Sequence, residues 1–193
     1  MMEATNTLFP IFLRTDRLRI LIVGGGNVAE EKLHFLFKSS PDSHVTLVAP
    51  DISEVVLGYK EQYDITFHKR EYQSDDILAG DLVIAATDIP ELNQSVRLDT
   101  RSAGKLINVA DTPDLCDFYL GGVVTKGDIK IAISTNGKSP TLAKRLRQLL
   151  EINLPDELSV LADHLNKARP LFGKDFKRKV ERLNSITETL IEN

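Results

Sequence analysis

A short apolar run ends in three consecutive glycines, and a helical pattern follows them. Gly24, Gly26 and Ala29 take the positions of the G-x-G-x-x-G/A pattern, which is typical of a turn that binds a dinucleotide. In such a turn the first glycine permits a tight bend, the second lets the backbone approach a pyrophosphate, and the small third residue lets helix and strand pack closely. Glycine-rich turns also connect strands to helices without binding a ligand. The buried-strand character of residues 20–23 favours the nucleotide-binding interpretation.

The carboxylate of Asp111 is the second candidate for chemistry, because it closely follows a predicted strand at residues 106–109. Ligands of open parallel sheets bind beyond the carboxyl ends of the strands. An enzyme that removes a hydride from carbon usually removes a proton as well, and a carboxylate at that edge can accept it. We therefore predict that Asp111 is the catalytic base. The alternative, from spacing alone, is an aspartate that caps a turn before Pro113.

Residues after the second and fourth predicted strands indicate which nucleotide binds. Pro50 and Asp51 follow the second strand, and Asp51 lies slightly later than the acid that customarily holds the ribose 2′-hydroxyl. The next basic residue is Lys60, so nothing nearby suits a 2′-phosphate and NAD is favoured over NADP. After the fourth strand come two alanines, Thr87 and Asp88, where a nicotinamide ribose could lie close to the backbone. The alternative there is an ordinary turn capped by Asp88.

A second polar loop, at residues 134–139, leads to a predicted helix N-terminus. It offers hydroxyls and one ammonium group that suit a carboxylate or a phosphate, from Ser134, Thr135, Lys138 and Ser139. Around it, residues 126–147 contain six basic residues and one acid, a local excess of +5 in a chain of net charge −4. Taken alone, such a stretch favours a solvated face over a surface that receives a polyanion.

The spacing of apolar residues predicts the elements that would position these groups. Five strands alternate with helices after the first, second and fourth, which indicates a parallel sheet wrapped by helices. The connection at residues 71–80 is acidic and predicts only a short helix. A hairpin, a helix at residues 141–153 that Ser139 caps, and further helices follow. The predicted strands are residues 18–23, 45–48, 65–67, 82–86 and 106–109, and the hairpin strands are residues 118–125 and 129–133.

Composition narrows the class of protein. The chain of 193 residues is 42% hydrophobic and 27% charged, which suits one globular domain with an appendage. Its single cysteine excludes an internal disulfide and fits a reducing compartment, and its four histidines lack metal-ligand spacing. No apolar segment has the length of a membrane span, and no signal peptide is evident. We expect a cytoplasmic protein without a bound metal that binds neither membranes nor nucleic acid.

Five motifs, in this order, resemble the precorrin-2 dehydrogenase family, which also forms the N-terminal part of fused siroheme synthases. The resemblance covers roughly residues 8–150. The motifs are LFPIFL at residues 8–13, IVGGGNVAEEK at 22–32, AATD at 85–88 with Asn93, NVAD at 108–111, and AISTNGKSPTLAKRLR at 132–147. Local departures lie at residues 119–122, at Thr135 and on either side of Asp111.

The resemblance implies an α/β fold in three parts and a set of site residues. The parts are an NAD-binding Rossmann-type domain at residues 1–113, a dimerisation segment at 114–150 and a small helical C-terminal domain at 151–193. Asp111 would be the catalytic aspartate. Cofactor contacts would fall on Gly24, Gly26, Asn27, Val28, Pro50 and Asp51, and we add Thr87 and Asp88 because they follow the fourth strand. For the substrate, the polar loop, the basic stretch and the end of the fifth strand lead us to predict contacts at Asn108, Ser134, Thr135, Lys138, Ser139 and Arg145.

The activity that the resemblance implies is the NAD-dependent oxidation of precorrin-2 to sirohydrochlorin, by a homodimer, in siroheme or cobalamin synthesis. Precorrin-2 is a polycarboxylate, which turns the interpretation of the basic stretch towards substrate binding. Two alternatives stay open at this point. Some relatives also insert iron with the same aspartate, so Fe(II) or Co(II) could be a second substrate here. A redox-sensing regulator could use the same nucleotide fold without turnover.

Overall fold

The computed structural model describes residues 6–172 and 176–188. Within them, a five-stranded parallel sheet has the order β3-β2-β1-β4-β5. Its strands consist largely of buried apolar residues, as in a sheet covered on both faces. This α/β sheet confirms the predicted fold class. The strands are β1 (Arg19–Val23), β2 (His44–Val48), β3 (Ile65–His68), β4 (Leu82–Ala85) and β5 (Leu106–Val109).

Helices cover the two faces of the sheet because neighbouring strand residues point to opposite sides. Ile20 and Ile22 of β1 pack in one core together with helix α1 (Asn27–Ser39). Leu21 and Val23 pack in the other, with helix α3 (Pro90–Ser102). The short helix α2 (Glu54–Gly58) follows β2. After β3 the chain forms only a 3-10 helix, Ser74–Ala79, which confirms the expectation of a short helix there.

The described residues divide into two compact units. The first contains the sheet and extends to Gly121, together with Asn136–Lys138; the second contains Gly122–Thr135 and the described residues from Ser139 onward. The predicted three-part division at 1–113, 114–150 and 151–193 stays a prediction, and residues 173–175 and 189–193 of its last part lie outside the described residues.

The second unit begins with an antiparallel hairpin of β6 (Gly122–Lys126) and β7 (Ile129–Ile133). Its helices are α4 (Pro140–Asn153), α5 (Glu157–Ala168) and α6 (Phe176–Thr187). The hairpin was predicted to start at residue 118, and that start is wrong. Residues 116–118 instead bond to the outer edge of β5 in the first unit: Asp117 N–H donates to the carbonyl of Ile107 at 2.8 Å.

In the part of the chain that the structure describes, no helix has both the length and the apolar character needed to cross a membrane.

Candidate functional site

Gly24 forms the bend that ends β1. Its φ of +121° lies in the region that favours glycine, and its N–H donates to the carbonyl of Val48 at 2.9 Å. A Cβ added to Gly24 would lie 2.3 Å from the carbonyl oxygen of Ala86. The bend therefore lies between the carboxyl ends of β2 and β4, and only glycine fits it.

Gly25 is a residue of the turn that the G-x-G pattern did not single out. A Cβ at this position would lie 2.3 Å from the carbonyl oxygen of Asp51, and the Gly25 carbonyl accepts the N–H of Ser53 at 2.9 Å. The glycine turn thus contacts the loop that carries Pro50 and Asp51, both of which are exposed. The third glycine in the run, which the G-x-G pattern does not require, was the available signal.

Gly26 faces open space at the start of α1. It is the N-cap of this helix, it supplies no side chain to the first amides, and a Cβ built on it would meet nothing within 4 Å. The first N–H groups of a helix have no partners within the helix, so those at Asn27 and Val28 can bind an anion. This arrangement fits the pyrophosphate of a dinucleotide.

Thr87 closes the turn after β4. Its Oγ1 donates to Oδ1 of Asn93 at 2.7 Å and accepts the N–H of Ile89 at 3.2 Å. Asn93 in turn donates to the Thr87 carbonyl at 2.9 Å. Asp88 is exposed, and α3 has Ile89 at its N-cap with no side-chain cap, so the alternative in which Asp88 caps the turn is wrong.

Asp111 lies at the same edge of the sheet, two residues beyond β5. The preceding N–H, from Ala110, donates to the carbonyl of Ala85 at 2.9 Å, which aligns this loop with the end of β4. Asp111 has a φ of +56° and is exposed. The next 3-10 helix has Thr112 at its N-cap and no side-chain cap, so the turn-capping alternative for Asp111 is wrong. Among the described residues its carboxylate has no hydrogen-bond or ion-pair partner, which leaves it able to accept a proton.

Asn108 and Cys116 lie beneath this loop. Asn108 is buried, and its amide nitrogen donates to the carbonyl of Phe118 at 2.9 Å and approaches Sγ of Cys116 at 3.5 Å. Burial raises the pKa of the Cys116 thiol, which keeps it protonated. Apart from being the chain's single cysteine, Cys116 carried no sequence signal for this place in the fold.

In the second unit, Thr135 and Ser139 organise the loop before α4. Thr135 Oγ1 accepts the N–H of Ser139 at 3.2 Å and donates to its carbonyl at 3.1 Å. Ser139 Oγ accepts the N–H of Leu142 at 3.1 Å, which confirms the predicted helix cap. Ser134 is exposed at the end of β7.

The basic stretch is partly neutralised within the second unit. Lys126 pairs with Asp156 at 2.6 Å and Arg147 pairs with Glu151 at 2.5 Å. Arg145 is exposed and donates to the neutral side chain of Gln148 at 2.9 Å. Lys144 and, in the first unit, Lys138 are exposed as well, and no ion pair involves any of these three cations among the described residues. No cluster of potential metal ligands is present among the described residues.

The structure therefore gathers part of the predicted site at one edge of the sheet. Gly24, Gly26, Asn27, Val28, Pro50, Asp51, Thr87, Asp88 and Asp111 all follow the carboxyl ends of its strands. A dinucleotide and a proton acceptor would share this edge. Ser134, Thr135, Ser139 and Arg145 belong to the second unit.

Comparisons with known proteins match both units. Residues 11–122 match a family described as "Putative NAD(P)-binding", and residues 126–151 match "Sirohaem biosynthesis protein central". Siroheme synthase from Pseudoalteromonas atlantica is 36% identical over 93% of this chain and 37% of its own length. Siroheme synthase from Nitrosomonas eutropha is 37% identical over 90% of this chain and 36% of its own length. The chain thus spans little more than a third of these curated relatives.

A solved structure described as SirC, precorrin-2 dehydrogenase, shares the fold. It has a TM-score of 0.73 and 23% sequence identity, and the match covers 93% of this chain and 89% of that one.

Proposed function

Because the chain belongs to the NAD(P)-binding family over residues 11–122 and carries the central segment of sirohaem biosynthesis proteins at residues 126–151, we propose that it oxidises precorrin-2 to sirohydrochlorin with NAD. One observation carries the proposal. The carboxylate of Asp111, which has no partner among the described residues, follows β5 at the sheet edge where the open turn at Gly26 begins α1. The siroheme synthases and the precorrin-2 dehydrogenase that the chain resembles support the choice of substrate.

The cofactor would be held by backbone more than by side chains. The amides of Asn27 and Val28 would bind the pyrophosphate, and Gly26 would admit it. Pro50 and Asp51 would flank the adenosine ribose. Thr87 and Asp88 would lie near the other ribose. When bound, NAD supplies an acceptor for the hydride that leaves the substrate carbon.

Asp111 would accept the proton that dehydrogenation releases together with the hydride. A carboxylate positioned at a reacting carbon contributes about 10²–10⁴-fold to the rate. The exposed cations Lys138 and Arg145 would attract the carboxylates of precorrin-2, and Asn108, Ser134, Thr135 and Ser139 complete the proposed substrate residues.

We also propose that the protein acts as a homodimer in the cytoplasm. Leu142, Leu149 and Ile152 of α4 are more than half exposed, and a second copy would bury such apolar surface. The single cysteine of the chain, which can form no internal disulfide, fits a cytoplasmic protein. Sedimentation of the purified chain tests the dimer.

The experiment that tests the activity supplies precorrin-2 and NAD and records NADH absorbance. We expect steady NADH formation, and the Asp111→Asn variant should bind NAD normally but turn over ~10²-fold more slowly. Binding of both ligands without turnover would favour a redox-sensing regulator instead. Adding Fe(II) or Co(II) afterwards, and following the macrocycle spectrum, tests whether the same site also inserts metal.

A further inference from the structure

Cys116 closes the loop that carries Asp111. Its Sγ lies 3.2 Å from the carbonyl oxygen of Val109 and 3.4 Å from that of Thr112, and either oxygen can accept the thiol proton. The N–H of Val109 donates to the sulfur at 3.2 Å, and the side-chain amide of Asn108 approaches it at 3.5 Å. One sulfur atom thus joins the start, the middle and the end of the segment 109–116.

The loop needs contacts that hold its conformation, because the backbone of Asp111 is left-handed. A residue other than glycine keeps a φ near +56° only where its surroundings over-determine the conformation. The Thr112 N–H reaches the Val109 carbonyl only at 3.4 Å, and the other bonds next to Asp111 involve Ala110, whose N–H donates to Ala85 at 2.9 Å and whose carbonyl accepts Thr112 Oγ1 at 3.2 Å. The thiol contacts Val109 and Thr112, which lie on either side of Asp111.

The thiol is itself held in a fixed place. The residue after it, Asp117, donates its N–H to Ile107 of β5 at 2.8 Å, and Asn108 donates to the carbonyl of Phe118 at 2.9 Å. The segment that carries Cys116 is therefore anchored on a strand of the sheet. Because burial raises the pKa of the thiol, the thiol proton stays available as a donor.

We propose that Cys116 is a positioning residue for catalysis: it holds the turn at Asp111 in its left-handed form and so fixes the direction of the Asp111 carboxylate. This inference rests on the proposed function, in which Asp111 accepts the substrate proton. It assigns the chain's single cysteine a role in geometry and none in covalent chemistry.

The test uses the full chain with precorrin-2 and NAD. Cys116→Ala removes every polar contact of the thiol, and we expect kcat to fall by roughly 10-fold to 100-fold, the cost of misplacing a catalytic group by about 1 Å. The dissociation constant for NAD should not change, because the glycine turn lies outside this loop. Cys116→Ser keeps a donor and acceptor in place and should restore most of the rate. Val45→Ala, a cavity in the other core cluster, which includes neither Val109 nor Cys116, controls for lost stability alone.

A double-mutant cycle separates positioning from a general structural effect. If Cys116 acts through Asp111, then Cys116→Ala should not lower further the residual rate of Asp111→Asn. The three-bond coupling between the amide and α protons of residue 111, which reports φ, should shift in Cys116→Ala and stay near its wild-type value in Cys116→Ser. If the alanine variant fails to fold, the cycle and the coupling are measured with Cys116→Ser, where an unchanged coupling and a nearly wild-type rate are required.

The outcomes distinguish this inference from the proposed function. A wild-type rate in Asp111→Asn would overturn the catalytic role of Asp111. An inactive Asp111→Asn beside a fully active Cys116→Ala would overturn the positioning role alone. The positioning role would also be overturned if Cys116→Ala and Cys116→Ser lost the same amount of kcat and if that loss added to the loss in Asp111→Asn.

Discussion

Gly24 and Gly26 are the same residue type under opposite constraints. Gly24 is enclosed, with a φ of +121° and a carbonyl oxygen 2.3 Å from any Cβ it could carry. Gly26 has a φ of −96°, which other residues adopt, and an added Cβ would meet nothing within 4 Å. The protein's own fold thus requires glycine at residue 24, whereas at residue 26 we propose that the bound ligand is the reason for glycine.

This contrast gives a paired prediction. We expect Gly26→Val to fold normally and to weaken NAD binding at least about tenfold, or ~1.4 kcal/mol, because its side chain occupies the space of the pyrophosphate. The matched control, Gly24→Val, should fail to fold. Calorimetric titration measures the affinity, and circular dichroism measures the fold. If a folded Gly26→Val protein bound NAD with wild-type affinity, the proposal that the nucleotide binds at this turn would be wrong.

Asp111 gives a prediction about stability. At a φ of +56° a Cβ is unfavourable, so Asp111→Gly should be more stable than Asp111→Ala by ~1 kcal/mol. This order of stability is the reverse of the usual one, in which alanine is more stable than glycine. Both variants should lose dehydrogenase activity. Urea unfolding measures the difference. Alanine equal to or more stable than glycine would show that the left-handed turn does not exist in solution.

The residue scale is also where the sequence was least informative. The glycine pattern and the strand-end carboxylate were visible as local signals. The contacts of Gly25 and Cys116 were not visible, because their partners lie in other parts of the chain: Gly25 contacts the loop after β2, and Cys116 bonds along β5. Side-chain contacts of this kind depend on the tertiary fold. The roles of the predicted site residues stay predictions.

At the scale of elements, buried apolar runs specify the sheet well. Each of the five predicted strands agrees with the structure to within one residue at either end. The predicted start of the first hairpin strand was wrong because residues 118–121 have a strand-like composition. The hydrogen bonds of residues 116–118 are instead made to β5. The hydrophobic pattern measures burial, and it does not identify the partner that an extended segment bonds to. The confirmed family assignment follows from motifs that lie mainly at these strand ends.

The loop before α4 and the exposed face of α4 carry the prediction on substrate charge. We expect the combined charge reversal Lys138→Glu and Arg145→Glu to raise the KM for precorrin-2 much more than that for NAD, because these exposed cations would meet substrate carboxylates. Added salt should weaken the wild type in the same direction. Lys126→Glu is a useful contrast, since Lys126 is already paired with Asp156. If the KM values for precorrin-2 and NAD changed equally, the basic stretch would be interpreted as a solvated face.

At the scale of the whole molecule, stability should depend on pH through one exposed histidine. His44 Nδ1 lies 2.5 Å from Asp64, and Nε2 lies 3.3 Å from the carbonyl of Asp16, so the doubly protonated ring suits both partners. The hydrogen bond to Asp64 raises the pKa of His44 in the folded protein. The stabilisation is therefore complete below the unfolded pKa of about 6.5 and is lost as pH rises through the higher folded value.

Urea unfolding across this pH range tests the histidine. The wild type should be more stable than His44→Gln at acidic pH, and the difference should shrink as pH rises. Asp64→Asn should abolish the same dependence. A difference that does not vary with pH would contradict the pairing.

The hydrogen bonds that residues 116–117 make to β5 have a further consequence, which concerns the solubility of the protein. β5 is an outer strand of the sheet, and its outward backbone groups bond to Asp117 and Cys116 instead of to another strand. An uncovered edge is a template on which a strand of a second molecule can add, and repeated addition leads to aggregates. The segment that shapes the loop at Asp111 therefore also guards the sheet against intermolecular strand pairing. Damage to this segment would carry a risk of precipitation as well as a loss of rate.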